Sequence, residues 1–155
     1  MNNPKEIRNE RLAAKLIKNL ARRNMSAIYC KTASEAIEKI LSMIPEGSSI
    51  SWGGSMTIRD MGLTEALHHK GTYRLYDRDL AQTREEAMDI YRKAFGADYY
   101  LSSANAISED GVIVNIDGNG NRVAAITFGP KHVLFVIGLN KVAQTTEAAL
   151  ARARS

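Results

Sequence analysis

The stretch SWGGSMTIRDMGL, residues 51–63, decides how this chain is read. Ser51 and Trp52 close a short strand-like run, SSISW (48–52). Two glycines follow at once, and Ser55 then caps a helical pattern that Gly62 ends. Gly53 and Gly54 carry no Cβ, so the backbone there is free to take a positive φ or to approach a ligand closely. Ser55 and Thr57 add hydroxyls, and the start of a helix offers unpaired N–H groups to an anion such as phosphate or carboxylate. The same residues also suit a tight strand-to-helix turn with a serine cap and no ligand.

Upstream of the corner, Pro4 opens a helix with Ile7, Leu12, Leu16, Ile17 and Leu20 in one stripe, and Asn24 ends it. MSAIYC (25–30) reads as a strand. Thr32 with Glu35 forms a capping box for the next helix, and PEG (45–47) is a turn. Downstream, Thr64 caps EALHHK, TYRLYD (72–77) is a strand, and Thr83 with Glu86 caps a helix through Tyr91 and Phe95. DYYLSS (98–103) is a further strand. GVIVNI (111–116) and RVAAITF (122–128) flank DGNGN, which reads as a hairpin. HVLFVIG (132–138) is a buried-type strand, and Thr146 starts a last helix. Helices alternating with strands predict a three-layer α/β fold: a mostly parallel sheet, helices on both faces, and an antiparallel hairpin. The 155 residues fit one domain, 1–155, with a basic N-terminal helix over 4–23.

Charge is unevenly placed. The formal net charge is +4, yet residues 1–23 hold seven of the 21 Lys/Arg and two of the 17 acids, which leaves the remainder near neutrality. That helix can dock an acidic partner, or simply present a solvated face. Nucleic acid is disfavoured, because no aromatic residue interleaves the basic ones before Tyr29. Cys30 is the single cysteine, the N-terminus is too charged for a signal peptide, and VLFVIGL is too short to span a bilayer. A cytoplasmic protein with no membrane association is expected.

A second polar constellation runs over SSANAISEDGVIVNIDGNGNRVAA (102–125), with Asn105, Glu109, Asp110, Asn115, Asp117, Asn119, Asn121 and Arg122. Turn chemistry explains part of it. Asn115 lies inside an apolar strand, however, and a buried polar group left without a partner costs about 1–3 kcal/mol. TFGPKH (127–132) places Lys131 at the start of the last strand. Glu65, His68 and His69 lack matching ligands elsewhere and predict no metal site. No GxSxG occurs, and no motif names a cofactor.

SWGGSMTIRDMGL together with SANAISEDGVIVNIDGNGNRVAAITFGPKHVLFVIGLNKV resembles the lactate-utilisation (LUD) domain family over roughly residues 5–150. The resemblance implies the fold shared with ribose-5-phosphate isomerase, glucosamine-phosphate deaminase and CoA transferases. It makes Gly53, Gly54, Ser55 and Thr57 similar to the loop that holds phosphate in the sugar-phosphate members. SEDG (108–111) is similar to the ExG element of CoA transferases, whose glutamate forms a thioester with CoA; Glu109 stands at that position. Relatives of the lactate-oxidising type work with partner subunits thought to hold iron–sulfur clusters. Relatives of this short type continue into a cysteine-containing tail, whereas this chain stops at Ser155, as a truncated form or as a tail-less branch.

Three readings follow. The first is a component of lactate or organic-acid utilisation that binds a small anion through Gly53, Gly54, Ser55, Thr57, Asn105, Asn115, Asp117, Asn121 and Lys131, with Arg59 or Lys131 as the neutralising base. The second is an enzyme of the CoA-transferase or sugar-phosphate-isomerase type with Glu109 as nucleophile or base. The third is a non-catalytic interaction module. Tyr99, Tyr100 and the C-terminal helix are the candidate shared face of a homodimer.

Overall fold

In the computed structural model, which describes residues 3–155, the chain divides into two compact units. One comprises residues 32–103 and 117–136 and holds the main sheet; the other comprises residues up to 31, 104–116 and 137–155.

The main-sheet unit starts with α2 (Ala33–Met43), capped by Thr32, whose Oγ1 accepts from the Glu35 N–H. Then come β1 (Ser49–Trp52), α3 (Met56–Asp60), α4 (Leu63–Lys70), β2 (Arg74–Tyr76), α5 (Arg84–Ala94) and β3 (Tyr99–Ser102). After an excursion into the other unit the chain returns as α6 (Asn121–Thr127) and β6 (His132–Phe135). The four strands lie in the order β2-β1-β3-β6, all parallel, with Ile50 opposite Leu75 and Tyr99, and Tyr99 opposite His132.

Strand alternation distributes the core. Ile50, Trp52 and Leu101 pack on one face with Ile40 and Ile44, with Ile58 of α3, and with Leu63 and Leu67 of α4. Tyr100 and Val133 point the other way, onto Ala94 of α5 and Ala125 of α6. Helices therefore cover both faces, as a parallel sheet requires.

One carboxylate gathers the amino edge of this sheet. Asp98, just before β3, accepts from Ser49 N at 2.9 Å, Ser49 Oγ at 3.0 Å and Lys131 Nζ at 2.7 Å, and Arg74 Nη2 lies 4.0 Å away. Residues at or beside the start of all four strands thus meet at one side chain. The Lys131 ammonium, followed by the Ser49 backbone and hydroxyl donors, holds this carboxyl well below the usual carboxylate range.

The other unit contains α1 (Pro4–Ala21), a small mixed sheet of β4 (Ala106–Ser108), β5 (Ile113–Val114) and β7 (Val142–Ala143), and α7 (Thr146–Arg154). Leu16 and Leu20 of α1 pack with Ile107, and around them lie Leu12, Ile113, Leu139 and Val142.

Three expectations need correction. Residues 25–30 form no strand. DGNGN is not a hairpin turn either: the antiparallel pair is β4 with β5, and residues 121–127 are helical. Gly120 adopts a left-handed conformation (φ 75°) at the start of α6, and Asp117 accepts from the Val123 N–H at 2.7 Å. With its first turn capped in this way, the alanine-bearing segment winds as a helix. Similarly, α4 begins at Leu63 behind Gly62, so Thr64 lies inside the helix rather than capping it.

Candidate functional site

Strands β1 and β3 are neighbours, yet the next strand after β1 lies on one side of this pair and the strand that pairs β3 beyond it lies on the other. At such a switch point the connections leave in opposite directions and open a crevice at the carboxyl ends of the strands. Gly53 and Gly54 stand there, directly after β1.

Neither glycine has a positive φ, so what the corner demands is space. A Cβ on Gly53 would stand 3.0 Å from the Tyr100 hydroxyl and 3.6 Å from Cδ of Arg122. A Cβ on Gly54 would fall 2.5 Å from Nη2 of Arg78. Two guanidinium-bearing side chains and a phenol thus close on backbone that is bare of side chains.

Each of these side chains is held in place. Arg78 follows β2, its Nη1 donates to the Tyr91 hydroxyl of α5, and its guanidinium carbon lies 5.7 Å from the centre of the Tyr91 ring. Its Nε is 3.7 Å from Asp79, a carboxylate that Arg59 also engages, at 2.8 Å. Arg122 Nε donates to Asp117 at 2.8 Å, with both side chains largely buried, so Asp117 fixes Arg122 and the first turn of α6 together. Tyr100 is 2% exposed. Burial, reinforced by the Asp117 carboxylate and opposed by Arg122, pushes its phenol up to about 12.

Beside the corner, Trp52 packs edge-on against His68 with ring centroids 6.1 Å apart, and the His68 ring nitrogen lies 2.8 Å from Asp77, the residue after β2. The Trp52 indole N–H is buried and has no hydrogen-bond partner. His68, exposed near the end of α4, thus reaches the same edge of the sheet. Among the described residues no cluster of His, Cys, Asp or Glu is placed to hold a metal ion.

The residues expected from sequence fall in three places. Gly53 and Asp117 meet around Tyr100 and Arg122, and Gly54 lies against Arg78. Ser55 caps α3, its Oγ accepting from Ile58 N at 3.4 Å, while Thr57 lies within α3 and Asn121 opens α6. Lys131, expected at the ligand, is at the opposite, amino edge of the sheet on Asp98, and Arg59 is committed to Asp79. Asn105, Glu109 and Asn115 belong to the other unit. There Asn105 Oδ1 accepts from Ile116 N at 3.1 Å, and Asn115 Oδ1 is buried without a hydrogen-bond partner. Glu109 pairs with Lys15 of α1 in the turn after β4, and its carbonyl accepts from Asn19 Nδ2 at 2.8 Å. Tyr100, offered above as part of a dimer face, is spent on the interior of its own unit.

Sequence reasoning missed Arg78 and Tyr91, named Arg122 only within the polar constellation over 102–125, and took Tyr100 only as part of a dimer face. The available signal was positional: Arg78 stands two residues after β2, as Gly54 stands two residues after β1.

An α/β protein with a parallel sheet and a basic, glycine-lined corner at its carboxyl edge is the class that fold and geometry define. The family model described as the LUD domain matches residues 13–155, and the chain belongs to that family. Neither a curated protein nor a solved structure matches it.

Proposed function

We propose that this LUD-domain protein binds a small anion, a carboxylate or a phosphate, at the Gly53–Gly54 corner, and that it serves the utilisation of lactate or related organic acids, the role the family name carries. One observation bears most of the weight. Arg78 Nη2 comes so close to Gly54 that any side chain there would collide with it. A guanidinium held against bare backbone beside a second arginine and a phenol supplies donors and positive charge in one place, which is what recognition of an oxyanion needs.

The test is a titration of the purified protein with lactate, pyruvate, butanoate, inorganic phosphate and ribose 5-phosphate. It is followed by thermal shift and by the fluorescence of Trp52, the sole tryptophan. A ligand at 100 times its Kd raises stability by about 2.7 kcal/mol. Arg78→Gln is expected to weaken the bound anion by about tenfold or more, the scale of one lost charge-assisted hydrogen bond. If none of the anions shifts the wild type, or if Arg78→Gln leaves the affinity of a bound one unchanged, the corner is not the site.

A further inference from the structure

Tyr100 has no evident structural use for its hydroxyl. The ring is packed between the sheet and the helices that carry Ala94 and Ala125. The oxygen points to Gly53, where even a methyl group would crowd it at 3.0 Å. Asp117, Arg122, Tyr91 and Arg78 each act on it through charge, and it hydrogen-bonds to none of them. The oxygen is not sealed in either, since the fully buried orphan atoms among the described residues are Trp52 Nε1 and Asn115 Oδ1. A phenol in the interior normally finds a partner for its O–H. This one keeps its proton at neutral pH and presents it to the mouth of the corner.

The charges around it add a second constraint. Arg122 has Asp117, and Arg59 has Asp79 at 2.8 Å; Arg78 only shares Asp79, at 3.7 Å. Arg78 therefore has the longest carboxylate contact of the three arginines and is the one best placed to take a ligand's carboxylate. A carboxylate held by Arg78 then leaves the Tyr100 proton for an acceptor just outside the charged group.

We propose that Tyr100 is the specificity-determining residue of the corner: it donates a hydrogen bond to a hydroxyl or carbonyl oxygen borne on the carbon next to a ligand's carboxylate, and so favours oxygen-substituted acids over their unsubstituted counterparts. This rests on the anion reading of the corner.

The experiment compares 2-hydroxybutanoate with butanoate, binding each to the wild type and to Tyr100→Phe by calorimetry, with inorganic phosphate alongside. The wild type is expected to prefer 2-hydroxybutanoate by about 2- to 12-fold, the value of one neutral hydrogen bond. Tyr100→Phe is expected to erase that preference by weakening 2-hydroxybutanoate more than butanoate, with the ligand-free Tm unchanged. A purely structural hydroxyl would instead lower the ligand-free Tm and weaken both acids alike, which overturns the proposal. So does equal binding of the two acids by the wild type, or binding of phosphate with neither acid. If no anion binds at all, the reading of the corner fails and Tyr100 falls with it. If butanoate binds and Arg78→Gln abolishes that binding, but no preference exists, Tyr100 alone is wrong.

Discussion

Gly54 and Gly129 both leave no room for a Cβ, yet substituting them should do different things. At Gly54 the obstacle is the far end of a flexible side chain, Arg78 Nη2. Gly54→Ala is therefore expected to fold with a stability within about 1 kcal/mol of wild type, the arginine swinging aside, and to lose anion affinity in a titration. Gly129 has φ +124°, and a Cβ there would meet the Phe95 carbonyl oxygen at 2.6 Å. Neither backbone can yield, so Gly129→Ala should cost about 2 kcal/mol or more in chemical denaturation while leaving the ligand preference alone. Tyr100 makes a third residue-scale prediction. Its phenol is pushed up in the folded protein, so it costs nothing below about pH 10 and lowers stability as pH rises from 10 toward 12, where the unfolded chain ionises more readily. Denaturation curves over that range should be flatter for Tyr100→Phe than for the wild type. None of this was legible at residue scale in the sequence: Arg78 in YDRDLAQ looks like any solvated cation, and its nearness to Gly54 exists only because β2 lies beside β1.

Elements were easier to read where a local chemical signal sets their ends. Thr32, Thr83 and Thr145 each accept a backbone N–H three residues on, and each begins a helix. The strands of the parallel sheet were visible as short apolar runs. DGNGN misled because Asn and Gly suit both a hairpin turn and a left-handed helix start; the deciding contact, Asp117 to Val123 N, lies six residues apart and needs the fold to be seen. Asp117→Ala removes that cap and the Arg122 pairing at once, and should lower stability by about 2 kcal/mol in urea denaturation and weaken anion binding. The basic helix behaves otherwise. Lys15 pairs with Glu109 and Arg23 with Asp110, whereas the exposed Arg8, Arg11, Lys18 and Arg22 follow one another at steps of three, seven and four residues, a single stripe. Neutralising Arg11, Lys18 and Arg22 to Gln should move Tm only slightly.

At the scale of the whole molecule, acid should act first through Asp98. Its carboxyl is held low by Lys131 and by the Ser49 donors, so its contribution is complete above the ordinary carboxylate range and is lost as pH falls through that range toward the depressed native value. Asp98→Asn should lower Tm at pH 7 and show a shallower loss on acidification, read from melts between pH 7 and pH 3. Among the described residues no helix is long and apolar enough to cross a membrane.

The chain passes between its two units four times, and α1 is made well before the strand it packs against. Leu16 and Leu20 leave the ribosome about 90 residues ahead of Ile107, against which they pack. At about 5–20 residues per second that interval lasts several seconds or longer. For that time α1 is an amphipathic peptide with its oily side uncovered and a row of positive charges on its back, in the description a nascent-chain chaperone would recognise. The folding of this protein in a cell should therefore depend on what shelters α1 during translation.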